Sequence, residues 1–244
     1  MRKMLILAVI GLLTLYCLSF IHAHELEGHQ KPEGMKLGGL LYDKWYKLVD
    51  KKPEGNHPLY PPAGRKSGKT TWRCKECHGW DYIGRDGSYG KGPHYTGIKG
   101  IYGAKDKSRE EIYKALTDKA GRHDFSPYLK AQEIEALVEF IKNGLIDLRK
   151  IINQDGSVKG DPERGKELYN ANCAVCHGVD GKNIDFKSKK EGIQGVGWLA
   201  RENPQETLHK IRWGHPGSPM PSMIVDKGLS DKDTIDILSY CQRL

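Results

Sequence analysis

Cys74-Lys75-Glu76-Cys77-His78 and Cys173-Ala174-Val175-Cys176-His177 decide the reading of this chain. Each is C-x-x-C-H, the attachment signature of c-type haem. Two thiols three positions apart can each add to a vinyl group on one porphyrin edge, and the adjacent imidazole then reaches the iron as proximal ligand. The same C-x-x-C spacing also serves zinc sites and thioredoxin-like redox pairs. Zinc needs two further ligands close by, and a redox pair needs a βαβ setting. The sequence offers neither, whereas both pairs are followed at once by His. The motifs therefore assign Cys74, Cys77, Cys173 and Cys176 to cofactor attachment and His78 and His177 to iron, which predicts two covalently bound haem c groups.

The surrounding composition fits that assignment. A chain of 244 residues suits one or two domains, and the motifs start 99 positions apart, as expected for two modules in tandem. Gly is plentiful at 29, Phe scarce at 4, and mean hydropathy is low at -0.62, a composition small haem domains tolerate because the cofactor supplies much of the apolar core. Formal charge is +8; removal of residues 1–23 takes away Arg2 and Lys3 and leaves 37 basic against 31 acidic side chains. A moderate positive charge suits docking to acidic redox partners and equally suits plain solubility. No nucleic-acid-binding motif accompanies it. Of six Cys, four belong to the motifs, Cys17 lies near the N-terminus and Cys241 is left over, so the mature chain has no pair for a structural disulfide. Cys241, beside Leu238 on an apolar face, reads as a core thiol, with an intermolecular bridge as the alternative.

Residues 1–23 read as a signal peptide: Arg2 and Lys3, an uncharged apolar run from Met4 to Ile21, and Ile21-His22-Ala23 before a cleavage at His24. The run is nearly long enough for an uncleaved membrane anchor, the alternative reading. Tyr16 occupies the place where lipidation of Cys17 would need a small residue. Residues 24–69 form an N-terminal extension. Its start, with His24 and His29, reads as a loose polar terminus. Leu40, Leu41, Trp45, Leu48 and Val49 predict an amphipathic helix over 39–50. Lys51 to Lys69 reads as an extended loop, and Gly64 to Thr70 falls one residue short of a phosphate-loop spacing. The first haem domain spans 70–147, with a capping box at Ser108-Arg109-Glu110-Glu111 opening a helix to about Leu116 and a last helix over 130–143 ended by Gly144. Residues 148–160 read as a linker. The second haem domain, 161–244, opens with Asp161 as N-cap and Pro162 at the first helical position, and Asn203 and Ser230 cap two more helices.

The order helix, C-x-x-C-H, loop, helix, ligand loop, helix resembles class I cytochrome c, most closely in the second half, and the whole chain resembles a dihaem c-type cytochrome. That resemblance implies a mainly α fold of two tandem cytochrome c-like domains and haem attachment outside the cytoplasm, hence a periplasmic location. It also implies roles for further residues. Gly92-Pro93-His94-Tyr95-Thr96-Gly97 resembles the family's proximal loop, so the Pro93 carbonyl is expected to accept a hydrogen bond from the proximal His. The second half has Gly195-Val196-Gly197-Trp198 there and lacks the Pro. Gly217-Ser218-Pro219-Met220-Pro221 matches the loop of the axial Met, which assigns Met220 to the second iron with Met223 as competitor.

The first half departs from the family. It has no Met between His78 and Lys150, and its corresponding loop is Gly121-Arg122-His123-Asp124-Phe125-Ser126-Pro127. His123 is expected as sixth ligand. It follows the Ser108 cap by 15 residues, where Met220 follows Asn203 by 17, so ungapped counting places Phe125 there instead and leaves the site open. His94 belongs to the proximal loop. The function implied is single-electron transfer between redox partner proteins, an electron carrier more than an enzyme. The alternatives are an oxidoreductase resembling thiosulfate dehydrogenases, disfavoured because no Cys lies between His78 and Cys173, and gas binding at an open first haem.

Overall fold

The computed structural model describes residues 32–186 and 192–244. The leader and its cleavage site lie outside the described residues. Among those described, no helix is long and apolar enough to cross a membrane.

Nine α-helices are described, with short 3-10 turns and one two-stranded hairpin between them. Helix α1 covers 32–44. The others are α2 (Cys74–His78), α3 (Arg109–Leu116), α4 (Ala131–Glu139), α5 (Pro162–Asn172), α6 (Ala174–His177), α7 (Val196–Glu202), α8 (Pro204–Trp213) and α9 (Asp231–Cys241). The capping signals act as the sequence predicts. Ser108 Oγ accepts from Glu111 N–H at 3.1 Å while Ser108 N–H donates to Glu111 Oε2 at 2.8 Å. Asp161 Oδ1 accepts from the amides of Glu163 and Arg164 ahead of Pro162, and Ser230 and Asn203 cap α9 and α8 through the third residue of each helix. Helix α4 continues into a π-helical turn over Phe140–Gly144.

Helix α1 differs from its expected span. Gly38 and Gly39 look like a loop ending, but they lie within the helix, because the helix crosses α4 at backbone contact. A Cβ on Gly38 would sit 2.1 Å from the Ala136 carbonyl oxygen and 2.5 Å from Phe140 Cβ. The second half repeats this crossing: a Cβ on Gly165 of α5 would sit 1.9 Å from the Asp236 carbonyl oxygen and 3.0 Å from Tyr240 Cβ on α9. In both cases a glycine meets a carbonyl and the side chain four residues on. The first half therefore uses α1 where the second uses α5. In the second half α5 leads straight into Cys173; in the first, residues 45–73 intervene before Cys74.

The halves share one buried core. Helix α8 forms the joint. His209 is fully buried between Tyr82 Oη, 2.8 Å from Nδ1, and the Gly39 carbonyl, 2.9 Å from Nε2. Arg212 donates to the Gly144 carbonyl at 2.9 Å, and Trp213 packs edge-on against Phe140. The linker folds back as a turn whose Ile152 pairs with Val158, held by the Gln242 side chain after α9.

Candidate functional site

The first C-x-x-C-H forms a single helical turn, α2, entered from the 3-10 turn Gly68–Trp72. A pocket opens beside it, lined by Cys74, Cys77, His78, His57, His123 and Phe125, with Trp72 and Ile98 among its other walls. Burial pushes both thiols up to about 12, Cys74 also through its neighbour Cys77. They are neutral at pH 7, the reverse of the depressed thiol a C-x-x-C redox pair needs.

Two imidazoles face one another across this pocket. His78 Nδ1 lies 2.7 Å from the Lys99 carbonyl, and His123 Nδ1 lies 2.7 Å from the Ala115 carbonyl. A carbonyl only accepts, so each Nδ1 carries the proton and each Nε2 keeps its lone pair. Burial also pulls His78 down to about 4, despite the bond to Lys99 that opposes it. The ring centres are 6.2 Å apart and the planes 83° apart. A metal–imidazole bond of about 2 Å, as for zinc, plus about 1 Å to the ring centre on each side predicts about 6 Å for two rings on opposite faces of one metal.

The expected Pro93 contact is not the one observed. The carbonyl behind His78 is that of Lys99, because the chain after the Gly92–His94 turn bends back and pairs Lys99 with Gly84 beside α2. Pro93 itself is exposed. His94 lies outside the pocket, stacked on Tyr89 at 4.9 Å. The segment with His123 is a hairpin rather than a plain loop: Thr117–Asp118 pairs with His123–Asp124, turning at Arg122 with φ 59°. Phe125 also reaches the pocket, edge-on to His123 at 5.1 Å, but its amide is tied to the Leu116 carbonyl and its ring packs on Trp45 and Trp72.

The second C-x-x-C-H stands in a different setting. Tyr169 on α5 donates to the Gly178 carbonyl at 2.8 Å and fixes the turn. Cys173 is pushed up to about 12 by burial, yet Cys176 is exposed and Val175 between them is 85% exposed. His177 Nδ1 is buried without a hydrogen-bond partner among the described residues, and Phe186 stands 6.2 Å from its ring. Met220 lies partly exposed in the loop after α8, its amide on Ser218 Oγ at 3.3 Å. Met223 is 3% exposed within the core, its amide bound to the Ile211 carbonyl.

The Cytochrome c family model matches residues 65–144 and again 162–244, well over half of the chain. The chain belongs to the cytochrome c family. A cytochrome c-553-like protein of Synechocystis sp. (strain ATCC 27184 / PCC 6803 / Kazusa) is 29% identical over 93 residues, covering 38% of this chain and 78% of that protein. No solved structure matches significantly. As a cytochrome c with two matched domains, the chain carries covalently bound haem and serves electron transfer. The first site fits that group: two neutral thiols and two imidazoles with free Nε2 atoms line one apolar pocket.

Sequence reasoning missed three elements. His57 lies in a Pro-rich stretch read as loop; Leu59 and Tyr60 beside it were the available hint of burial. The Lys99 and Ala115 carbonyls have no sequence signature. Neither does the charged knot at the joint. There Asp43 is fully buried, paired with Arg73 and 2.9 Å from Lys210 Nζ, which in turn donates to His215 Nδ1 at 2.7 Å. Burial alone would raise the Asp43 pKa, but the Lys210 and Arg73 charges outweigh it and hold the carboxyl well below the usual range.

Proposed function

We propose that this protein is an exported, periplasmic dihaem electron carrier, with His78 and His123 on the first iron and His177 and Met220 on the second. The observation that carries this reading is the 6.2 Å separation of the His78 and His123 rings, each with Nδ1 bound to a carbonyl and Nε2 free. Two preset ligands leave the first iron no open position for a substrate. They also require little rearrangement when the charge changes. Haem supplies the one-electron couple; the chain holds the ligands and excludes water.

The ligand sets order the two potentials. A thioether favours Fe(II) and raises the potential, whereas two imidazoles backed by carbonyls are stronger donors and lower it. Electrons therefore pass from the first haem to the second and on to a redox partner protein.

The test is low-temperature electron paramagnetic resonance of the oxidised holoprotein. Wild type shows two low-spin haems; His123→Ala makes one of them high-spin, and His94→Ala leaves both unchanged. A high-spin haem in wild type, or two low-spin haems in His123→Ala, overturns the assignment and moves the first site toward ligand binding.

A further inference from the structure

Residues 45–64 lie outside the family match and have no counterpart in the second half, where α5 enters Cys173 directly. They nevertheless build part of the first pocket, through His57 and Leu59. His57 is only 5% exposed. Its ring is held edge-on by Trp72 at 4.5 Å, stands 5.7 Å from Phe125, and lies 6.0 Å from His123, on the sixth-ligand side. Its backbone amide donates to Thr71 Oγ1 at 2.8 Å, which pins the segment to the turn that enters α2.

The proton on this ring is fixed by its neighbour. Leu59 N–H donates to His57 Nδ1 at 3.1 Å, so Nδ1 is the acceptor and the neutral ring carries its hydrogen on Nε2. This is the opposite tautomer from His78 and His123, whose Nδ1 atoms face carbonyls. A protonated Nε2 cannot ligate iron, and no hydrogen-bond acceptor for it is found among the described residues. Nε2 is open to the pocket that His57 lines and not sealed in the core, so a ligand filling that pocket must accept from it or bury it unpaired at a cost of about 1–3 kcal/mol.

We infer that His57 is the hydrogen-bond donor of the first haem site, giving its Nε2–H to an anionic oxygen or nitrogen brought in with the cofactor. The inference rests on haem occupying this pocket, as proposed above. Two sources share the required chemistry: a propionate of the haem itself, and a small exogenous anion at the iron when His123 is displaced. In either case the donor offsets negative charge beside the iron. His57 is thus a positioning residue and not an axial ligand, and the inserted segment exists to deliver it.

The experiment compares His57→Leu, which removes the donor, with His57→Gln, which keeps an N–H, in the full holoprotein. The wild-type spin state, read first, tests the ligand assignment by itself. With both haems low-spin in all three proteins and their melting alike, the potential of the first haem falls in His57→Leu and recovers in His57→Gln, while that of the second stays fixed. Resonance Raman separates the sources: a propionate partner shifts the propionate bending band in His57→Leu. An exogenous partner leaves that band unmoved; instead, cyanide affinity in a His123→Ala background drops about tenfold or more when His57→Leu is added. Three results overturn the inference: no change in potential, propionate band or cyanide affinity; His57→Gln behaving as His57→Leu, which means packing alone; or loss of the low-spin signal of the first haem in His57→Leu, which makes His57 the ligand.

Discussion

Replacing Asp43 by Asn should loosen the joint between the two halves. The carboxylate is fully buried, and its partners Arg73 and Lys210 expose only 13% and 12% of their side chains. Arg73 precedes Cys74 and also donates its Nε to the Asp43 carbonyl at 2.7 Å; Lys210 belongs to α8 of the second half. An amide of the same shape removes the counter-charge the two cations share and leaves Arg73 with Glu76 at 3.5 Å and Lys210 with Glu206 at 3.3 Å. Breaking such a pair costs about 3–5 kcal/mol. At about 2–4 °C per kcal/mol for a chain of this size, the melting temperature should fall by about 10 °C. The pH dependence has a definite sign. The folded-state pKa of Asp43 is depressed, so its contribution is complete above the ordinary carboxylate value near about 4 and fades as pH falls from there toward the folded-state pKa. Wild type should therefore outlast Asp43→Asn at pH 7 and lose that advantage in acid. Thermal unfolding of the holoprotein, followed by circular dichroism at several pH values, measures this. Adding Lys210→Met to Asp43→Asn should recover part of the loss. A drop below about 1 kcal/mol, the worth of an exposed ion pair, would refute the reasoning.

Intact mass of protein matured with a haem-attachment system should show two haems, and a mass fitting one would remove one of the two sites. Met220→Ala should abolish the far-red sulfur-to-iron band of the oxidised protein at little cost in stability. Met223→Ala should keep the band and cost about 2–5 kcal/mol in a melt, because that side chain fills the core. Cys241 is 1% exposed and burial raises its thiol well above the ordinary value; it should resist a thiol reagent until the protein unfolds, and non-reducing electrophoresis should show monomer.

The helices were legible because their signals are local. Capping at Ser108, Asp161, Asn203 and Ser230 and the apolar faces of α4 and α9 depend on residues a turn apart, and all reappear in the structure. Contacts that depend on distant parts of the chain were not legible. Gly38 and Gly39 look like the end of a loop before a helix until α4 and α8 are seen against them. Hydropathy even inverts between the two motifs. Lys75 and Glu76, the charged pair in the first, are 6% and 2% exposed, whereas Val175 in the second is 85% exposed. The inversion follows from the partners. Lys75 and Glu76 pair with each other at 2.5 Å beneath Trp80, and the Lys75, Glu76 and Lys210 side chains come together there because α8 packs over the first motif. Burial alone would raise Glu76, but His94 and Lys75 hold it down at about 2.

The same packing explains why one repeated module yields two unlike sites. Both halves cross their first and last helices at a glycine, so the scaffold is common. What differs is what covers the attachment turn. A tyrosine on the glycine carbonyl after the motif is common to both, Tyr42 on Gly79 at 2.5 Å and Tyr169 on Gly178 at 2.8 Å, but over the first turn also lie the segment 45–73 and α8, with Trp80 against His209 at 5.0 Å. Over the second, among the described residues, nothing comparable lies, and Cys176, Val175 and Val179 face solvent. A charge on the first iron is therefore screened less by water than one on the second, and its energy depends more on fixed groups such as the carbonyls of Lys99 and Ala115. Among the described residues, solvent reaches the attachment turn of the second site at Cys176, while the first is covered both by its own half and by α8 of the second.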